Sequence, residues 1–189
     1  MLTDNDRLRE LQNETVVNVA GLLKAQTGAA REYRLHLDEL FIDGDTVARD
    51  INGEVRLTRL RESIIANVKA TGFAPLTCSR CLREYDQPFA VDFDEAYEQT
   101  VDVRTGVDLG RDFQEDEQTS RIDENHELDL REPLRQEILV ALPMRPDCGP
   151  DCPGPDVTEV GADDAVDDRF AALANLLGDD QGNEPVGRS

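Results

Sequence analysis

Lysine is almost missing from this chain. Its 189 residues hold 2 Lys and 18 Arg against 24 Asp and 17 Glu, and the formal net charge is −21. Such a surface repels a polyanion over long range, which argues against unaided, whole-surface binding of nucleic acid. It suits a basic protein partner, a saline cytoplasm, or solubility alone. Long apolar runs are missing too. No segment approaches the ~20 apolar residues that cross a bilayer, so no membrane association is expected. The first residues, MLTDNDRLRELQNET, lack the basic start and apolar centre of a signal peptide. A cytoplasmic protein with reduced thiols is expected, and a disulfide framework is the weaker reading of the 4 Cys.

Catalytic signatures are equally scarce. His36 and His126 are the only histidines. His36 falls on the polar side of a strand pattern and His126 in an acidic stretch, and neither has a neighbour that makes a hydrolytic site. No H-E-x-x-H pattern, G-x-S-x-G elbow or phosphate-cradling glycine loop is present. Neither catalysis nor a small-molecule substrate is expected.

What is present is strand periodicity. The length suits one domain with a tail, and a domain near this size buries roughly two-thirds of its unfolded surface without a covalent staple. Residues 1–14 are polar and read as a flexible N-terminus ahead of a domain at 15–154. Val16, Val17 and Val19 suggest a short strand, with AGLL as a turn. Tyr33, Leu35 and Leu37 alternate with charged residues. Asn52-Gly53 carries a hairpin-turn signal, and beyond it Val55 and Leu57 oppose Glu54, Arg56 and Thr58. Ile64, Ala66, Val68 and Ala70 alternate up to Gly72, and Phe89, Val91 and Phe93 alternate with Ala90, Asp92 and Asp94. Half-buried strands in succession predict an antiparallel sheet or open barrel.

Residues 102–127 are acidic, poor in apolar residues, and read as a flexible insertion. Leu130, Leu134, Ile138 and Leu142 then recur every four residues. They predict a helix opened by Asp129, with Glu132 placed as in a capping box, and stopped by Pro143. The segment from Asp147 to Ser189 carries 11 acids against 2 bases. Residues 155–189 read as an acidic tail, with Phe170, Leu173, Ala174 and Leu177 on a short docking helix over 167–177. The predicted class is α+β: a sheet packed with one or two helices.

Cys78 and Cys81 form C-x2-C, and Cys148 and Cys152 form C-x3-C. Two such pairs are the usual way to present four thiolates to one zinc ion, because each short loop aims two sulfurs at it from one side. Gly149-Pro150 supplies a tight turn for the second pair. A zinc knuckle commonly has glycine after its second cysteine; here that residue is Leu82. Structural zinc, unmetallated thiols and redox chemistry all stay open. Redox is disfavoured by a site between strands, because a reactive pair of the thioredoxin type opens a helix.

One stretch opposes the bulk charge. From Thr46 to Arg83, seven bases (Arg49, Arg56, Arg59, Arg61, Lys69, Arg80 and Arg83) face Asp50, Glu54 and Glu62. If strand faces gather them, Arg56, Arg59, Arg61, Lys69, Arg80 and Arg83 are the candidate nucleic-acid contacts. Pairing with the chain's own acids is the competing reading.

Three motifs carry a family resemblance. The first is C-x-R-C-L at Cys78, Arg80, Cys81 and Leu82. The second runs through Leu128, Asp129, Leu130, Glu137, Ile138, Leu139, Ala141, Leu142, Pro143, Met144, Cys148, Cys152 and Gly154. The third is Asp167, Arg169, Phe170 and Leu173. In this order and spacing, over about residues 15–177, the chain resembles the YceD-like family of large ribosomal RNA subunit accumulation proteins. The resemblance implies a role in synthesis, processing or stability of large-subunit rRNA, with no catalytic residues to carry over. Many members bear further cysteines after C-x-G. Here that place reads CPGPDVTEVG, which leaves four thiols, the number one zinc needs. The expectation is a non-enzymatic ribosome-biogenesis factor that meets a pre-ribosomal particle or a basic ribosomal or processing protein, with any contact to rRNA indirect or through the basic stretch. A zinc-ribbon-like nucleic-acid module and an RNA-maturation enzyme are the alternatives.

Overall fold

A computed structural model describes residues 9–109 and 120–155. Four long strands form its body: β3 (Ala30–Asp43), β4 (Thr46–Arg59), β5 (Ser63–Thr77) and β6 (Glu84–Gln99). They pair antiparallel in sequence order, as the alternating patterns predict. The short strands β1 (Arg9–Gln12) and β7 (Arg121–Ile122) lie at the two edges and run parallel to their neighbours. The sheet, ordered β1-β3-β4-β5-β6-β7, is therefore mixed rather than purely antiparallel, and it curls into a half-barrel. A second, two-stranded sheet pairs β2 (Val16–Asn18) with β8 (Glu127–Asp129). The helices are α1 (Ala20–Leu23) and α2 (Arg131–Ala141).

The core is the inner face of the curl. Register aligns Tyr33, Val55, Val68 and Phe93 in one row across all four long strands. Leu57 and Ala66 form a parallel row, and Leu37 sits opposite Ile51. Each fully buried Leu, Ile or Val contributes ~1.5–3 kcal/mol against exposure. Helix α2 packs on β3 and β6, the two outermost long strands. A flat sheet would hold those strands about 15 Å apart, so one helix reaches both because the sheet curls. Leu130, Leu134 and Ile138 project into the core and are fully buried.

Several local expectations are corrected. The β3–β4 turn lies at Gly44 (φ +54), after Asp43, and Asn52-Gly53 falls inside β4. Glycine is needed there for a different reason: a Cβ on Gly53 would stand 2.3 Å from the Lys69 carbonyl oxygen. Gly72 does not interrupt β5, which runs through it to Thr77. Residues 1–14 are not flexible throughout, since β1 pairs with β3 and buries Leu11. The expected insertion at 102–127 carries structure at both ends. Val101 bridges Asp108, and Ile122 of β7 is fully buried. The centre of that stretch and the helix expected over 167–177 lie outside the described residues.

The capping box does not form. The Asp129 Oδ1 accepts the Arg131 N–H at 2.9 Å, while the Glu132 carboxylate takes hydrogen bonds from Arg135 and Gln136. The helix ends as predicted. Leu142 turns extended (ψ 141) ahead of Pro143, whose ring disfavours a helical residue before it.

Candidate metal centre

The turn between β5 and β6, residues 78–83, is built by its own backbone. The Cys78 N–H donates to the Arg83 carbonyl at 2.9 Å, and the Leu82 N–H donates to the Cys78 carbonyl at 3.0 Å. The Arg80 N–H points at the Cys78 Sγ, 3.5 Å away. Leu82 adopts φ +59, the left-handed conformation that glycine takes most cheaply. The knuckle thus forms without its usual glycine, and the exposed Leu82 bears the strain.

After α2 the chain crosses the tip of this hairpin. The Ser79 N–H and Oγ–H both donate to the Pro146 carbonyl, each at 2.9 Å. Arg80 Nη1 lies 3.5 Å from Asp147 Oδ2. Asp147 Oδ1 accepts the Gly149 N–H at 2.9 Å, Gly149 turns through φ +106, and the Cys152 N–H closes on the Gly149 carbonyl at 3.1 Å. Two knuckles from distant parts of the chain therefore face each other.

Between them the four cysteines come together, with their Sγ atoms all within 4.8 Å of one another. Cys78 and Cys152 are 3.8 Å apart, and Cys81 and Cys148 are 3.6 Å apart. A disulfide needs about 2.05 Å, and all four cysteines are free. Sulfurs at about 2.3 Å around a tetrahedral zinc stand about 3.8 Å from one another, which these separations match. Cys78 is buried and the other three are half-buried. Backbone amides of Cys81, Arg80 and Cys148 lower the Cys78 thiol to about 6. Its neighbours act the other way on Cys148: hydrogen bonding with Cys152, together with burial, pushes it up to about 12. Negative charge at Cys152 and then at Asp147 raises Arg80. Four sulfurs this close resist shared ionisation, and a divalent cation removes that conflict.

A family model matches residues 66–177, more than half of the chain: YceD, the large ribosomal RNA subunit accumulation protein. The chain belongs to the YceD family. Membership implies involvement in the accumulation of large-subunit rRNA. No curated protein and no solved structure matches the chain.

The YceD match begins inside β5. It takes in all four cysteines, Lys69, Arg80 and Arg83, and leaves out Arg49, Arg56, Arg59 and Arg61. The structure sets several of these bases beside acids of the same chain. Arg56 lies 3.6 Å from Glu32, Lys69 2.8 Å from Asp92, and Arg49 2.6 Å from Asp86. Arg59 Nη1 donates to the Ala25 carbonyl, while Arg61 and Arg83 are exposed. On the outer face β3, β4 and β6 all supply acids, so Glu32, Glu54, Asp92 and Asp94 line one hollow with Arg56 and Lys69. His36 joins no site; its ring contacts Asn52 at 2.8 Å and Asp38 at 3.2 Å. Ser79 and Asp147 carry no ligand signal in the sequence, yet they join the two knuckles, Ser79 through the Pro146 carbonyl and Asp147 through Arg80. The signal for Asp147 is its place two residues before Gly149, where an Asp side chain closes a turn on its own backbone.

Proposed function

We propose that this YceD protein is a non-catalytic factor of large-subunit assembly, held in shape by one zinc ion and acting through a basic ribosomal or processing protein. The family match over residues 66–177 carries this reading. The surface chemistry supports a protein over naked RNA. Bulk charge of −21 attracts polycations, and Arg49, Arg56, Lys69 and Arg80 already face acids of the same chain. Cys78, Cys81, Cys148 and Cys152 would hold the ion. Bound zinc supplies a structural cross-link, not reactivity, because four thiolates leave no open position. Thiolate ligation calls for a reducing compartment, in keeping with the cytoplasm.

Two measurements test this. Protein purified without chelator should contain about one zinc per chain. The protein should also associate with pre-ribosomal particles or one of their basic proteins, more weakly as salt rises, while free rRNA binds no better than unrelated RNA of equal length. Tight, specific binding of naked rRNA with no affinity for particle proteins would replace this reading with the nucleic-acid module.

A further inference from the structure

The sheet is open along one long edge. Strand β6 pairs with β5 from Glu84 to Glu98, and with β7 only at Glu98 and Gln99. Among the described residues no strand lies against the other side of β6 between Glu84 and Tyr97. Half of the backbone N–H and C=O groups of an antiparallel strand point to each side, so this side presents a line of donors and acceptors that no other described strand pairs. Pro88 removes one donor, which suits a strand at a sheet edge. The Pro88 carbonyl is engaged by the Gln87 side-chain amide at 2.8 Å. The stretch from Phe89 to Tyr97 remains, about 30 Å long at strand rise.

Side chains on both faces say what this edge fits. On the inner face the row Tyr33, Val55, Val68 is almost wholly buried, but its last member, Phe93, is only partly covered. The row lacks a neighbour at the edge. On the outer face Ala90, Asp92, Asp94 and Ala96 are exposed. Asp92 pairs with Lys69 and Asp94 accepts from Asn67, but with Glu32 and Glu54 beside them four acids stand against Arg56 and Lys69, so this face keeps an excess of negative charge. A strand laid alongside would set its inner residues beside Val91 and Phe93 and its outer residues beside Asp92 and Asp94.

We propose that the open edge of β6, from Phe89 to Tyr97, receives an extended segment of a basic protein that alternates apolar and basic residues, adding one strand to the sheet. Backbone pairing gives affinity. Apolar residues at alternate positions cover Phe93, and Lys or Arg between them face Asp92 and Asp94. The choice of a basic ligand rests on the partner reading given above; the edge itself does not.

The probe is a synthetic peptide of about eight residues alternating valine and arginine. Three peptides separate the terms: this one, one of the same composition with its arginines and valines in two blocks, and one N-methylated at every second amide. Anisotropy titration of the full chain should show the alternating peptide binding about tenfold or more tightly than either control. Hydrogen exchange at the amides of Phe89 to Tyr97 should slow when it binds. The double substitution D92N/D94N should weaken binding and flatten its salt dependence while leaving the thermal midpoint nearly unchanged. Equal binding of the N-methylated peptide would mean charge attraction without strand addition, and would overturn the proposal. So would strong protection of the edge amides in the free protein, which would mean that the chain covers its own edge. Edge binding by a protein that ignores pre-ribosomal particles would uphold the edge and remove the functional reading instead.

Discussion

The two ends of the β5–β6 hairpin are held by different means. At the open end Ile64 and Tyr97 face each other fully buried, and the Tyr97 hydroxyl donates to the Asp129 carbonyl at 2.9 Å, just ahead of α2. At the turn end little is apolar and covered. Leu82 is 76% exposed and Met144 is 106% exposed. What joins the turn to the chain leaving α2 is the Ser79–Pro146 contact, the Arg80–Asp147 pair and four sulfurs. Burial is a sum over many side chains, so the first end loses strength gradually. Ligation of one ion by the four sulfurs would be a single event, so the second end would be either closed or open.

The largest effect tests the distributed end. Ile138→Ala should cost ~2–5 kcal/mol in urea unfolding, with or without chelator, because the cavity lies in the core. A loss below about half a kcal/mol would mean that α2 is not docked as described. Cys78→Ser should cost about 3 kcal/mol when free zinc stands at about a hundred times its Kd, and far less in chelator, where the ion no longer contributes. Its far-UV circular dichroism should match the parent, since the sheet does not depend on the turn. A Cys78→Ser protein that unfolds outright would erase the contrast between the two ends. Tyr97→Phe removes the donor to the Asp129 carbonyl and should cost about 1–3 kcal/mol, read from the same unfolding curves. Leu82→Gly is the smallest change and has the opposite sign. Relief of the positive φ, less the added freedom of the unfolded chain, should stabilise by about 0.5 kcal/mol, visible as a slightly higher midpoint.

The inner face of the sheet was legible because it follows from a period of two. Leu35, Val55, Ala66 and Val68 alternate with polar residues and all are buried. Helix α2 was legible through a different period, the recurrence of Leu130, Leu134 and Ile138 every four residues. Turn placement was less so. Asn52-Gly53 and Asp43-Gly44 carry equivalent local signals; Gly53 is a strand residue because it pairs with Leu35 on one side and Ala70 on the other, and its glycine answers the crowding at the Lys69 carbonyl. The edge strands escaped because β1 buries one residue, Leu11, and β7 only Ile122, too few to show a period. The cysteine spacing marked the centre. The meeting of the two pairs rests on geometry that no spacing records: α2 lies on β3 and β6 at the length that brings Pro146 over Ser79. The basic stretch looked richer in charge than it is because several partners, Glu32 of β3 and Asp86 and Asp92 of β6, are distant in sequence and adjacent in the sheet.

Cys81 and Cys148 meet although they stand 67 positions apart. Joined through a metal, they would turn everything between them into a closed loop. The entropy of closing a flexible loop grows only with the logarithm of its length, so doubling it costs about 0.6 kcal/mol. By that measure the length of the loop matters little to its closure; what matters is that β7, β8 and α2 keep their register and seat. A change of length is expensive within Arg131–Ala141, where one added residue would rotate Leu134 and Ile138 by about 100° out of the core and carry Cys148 away from its partner.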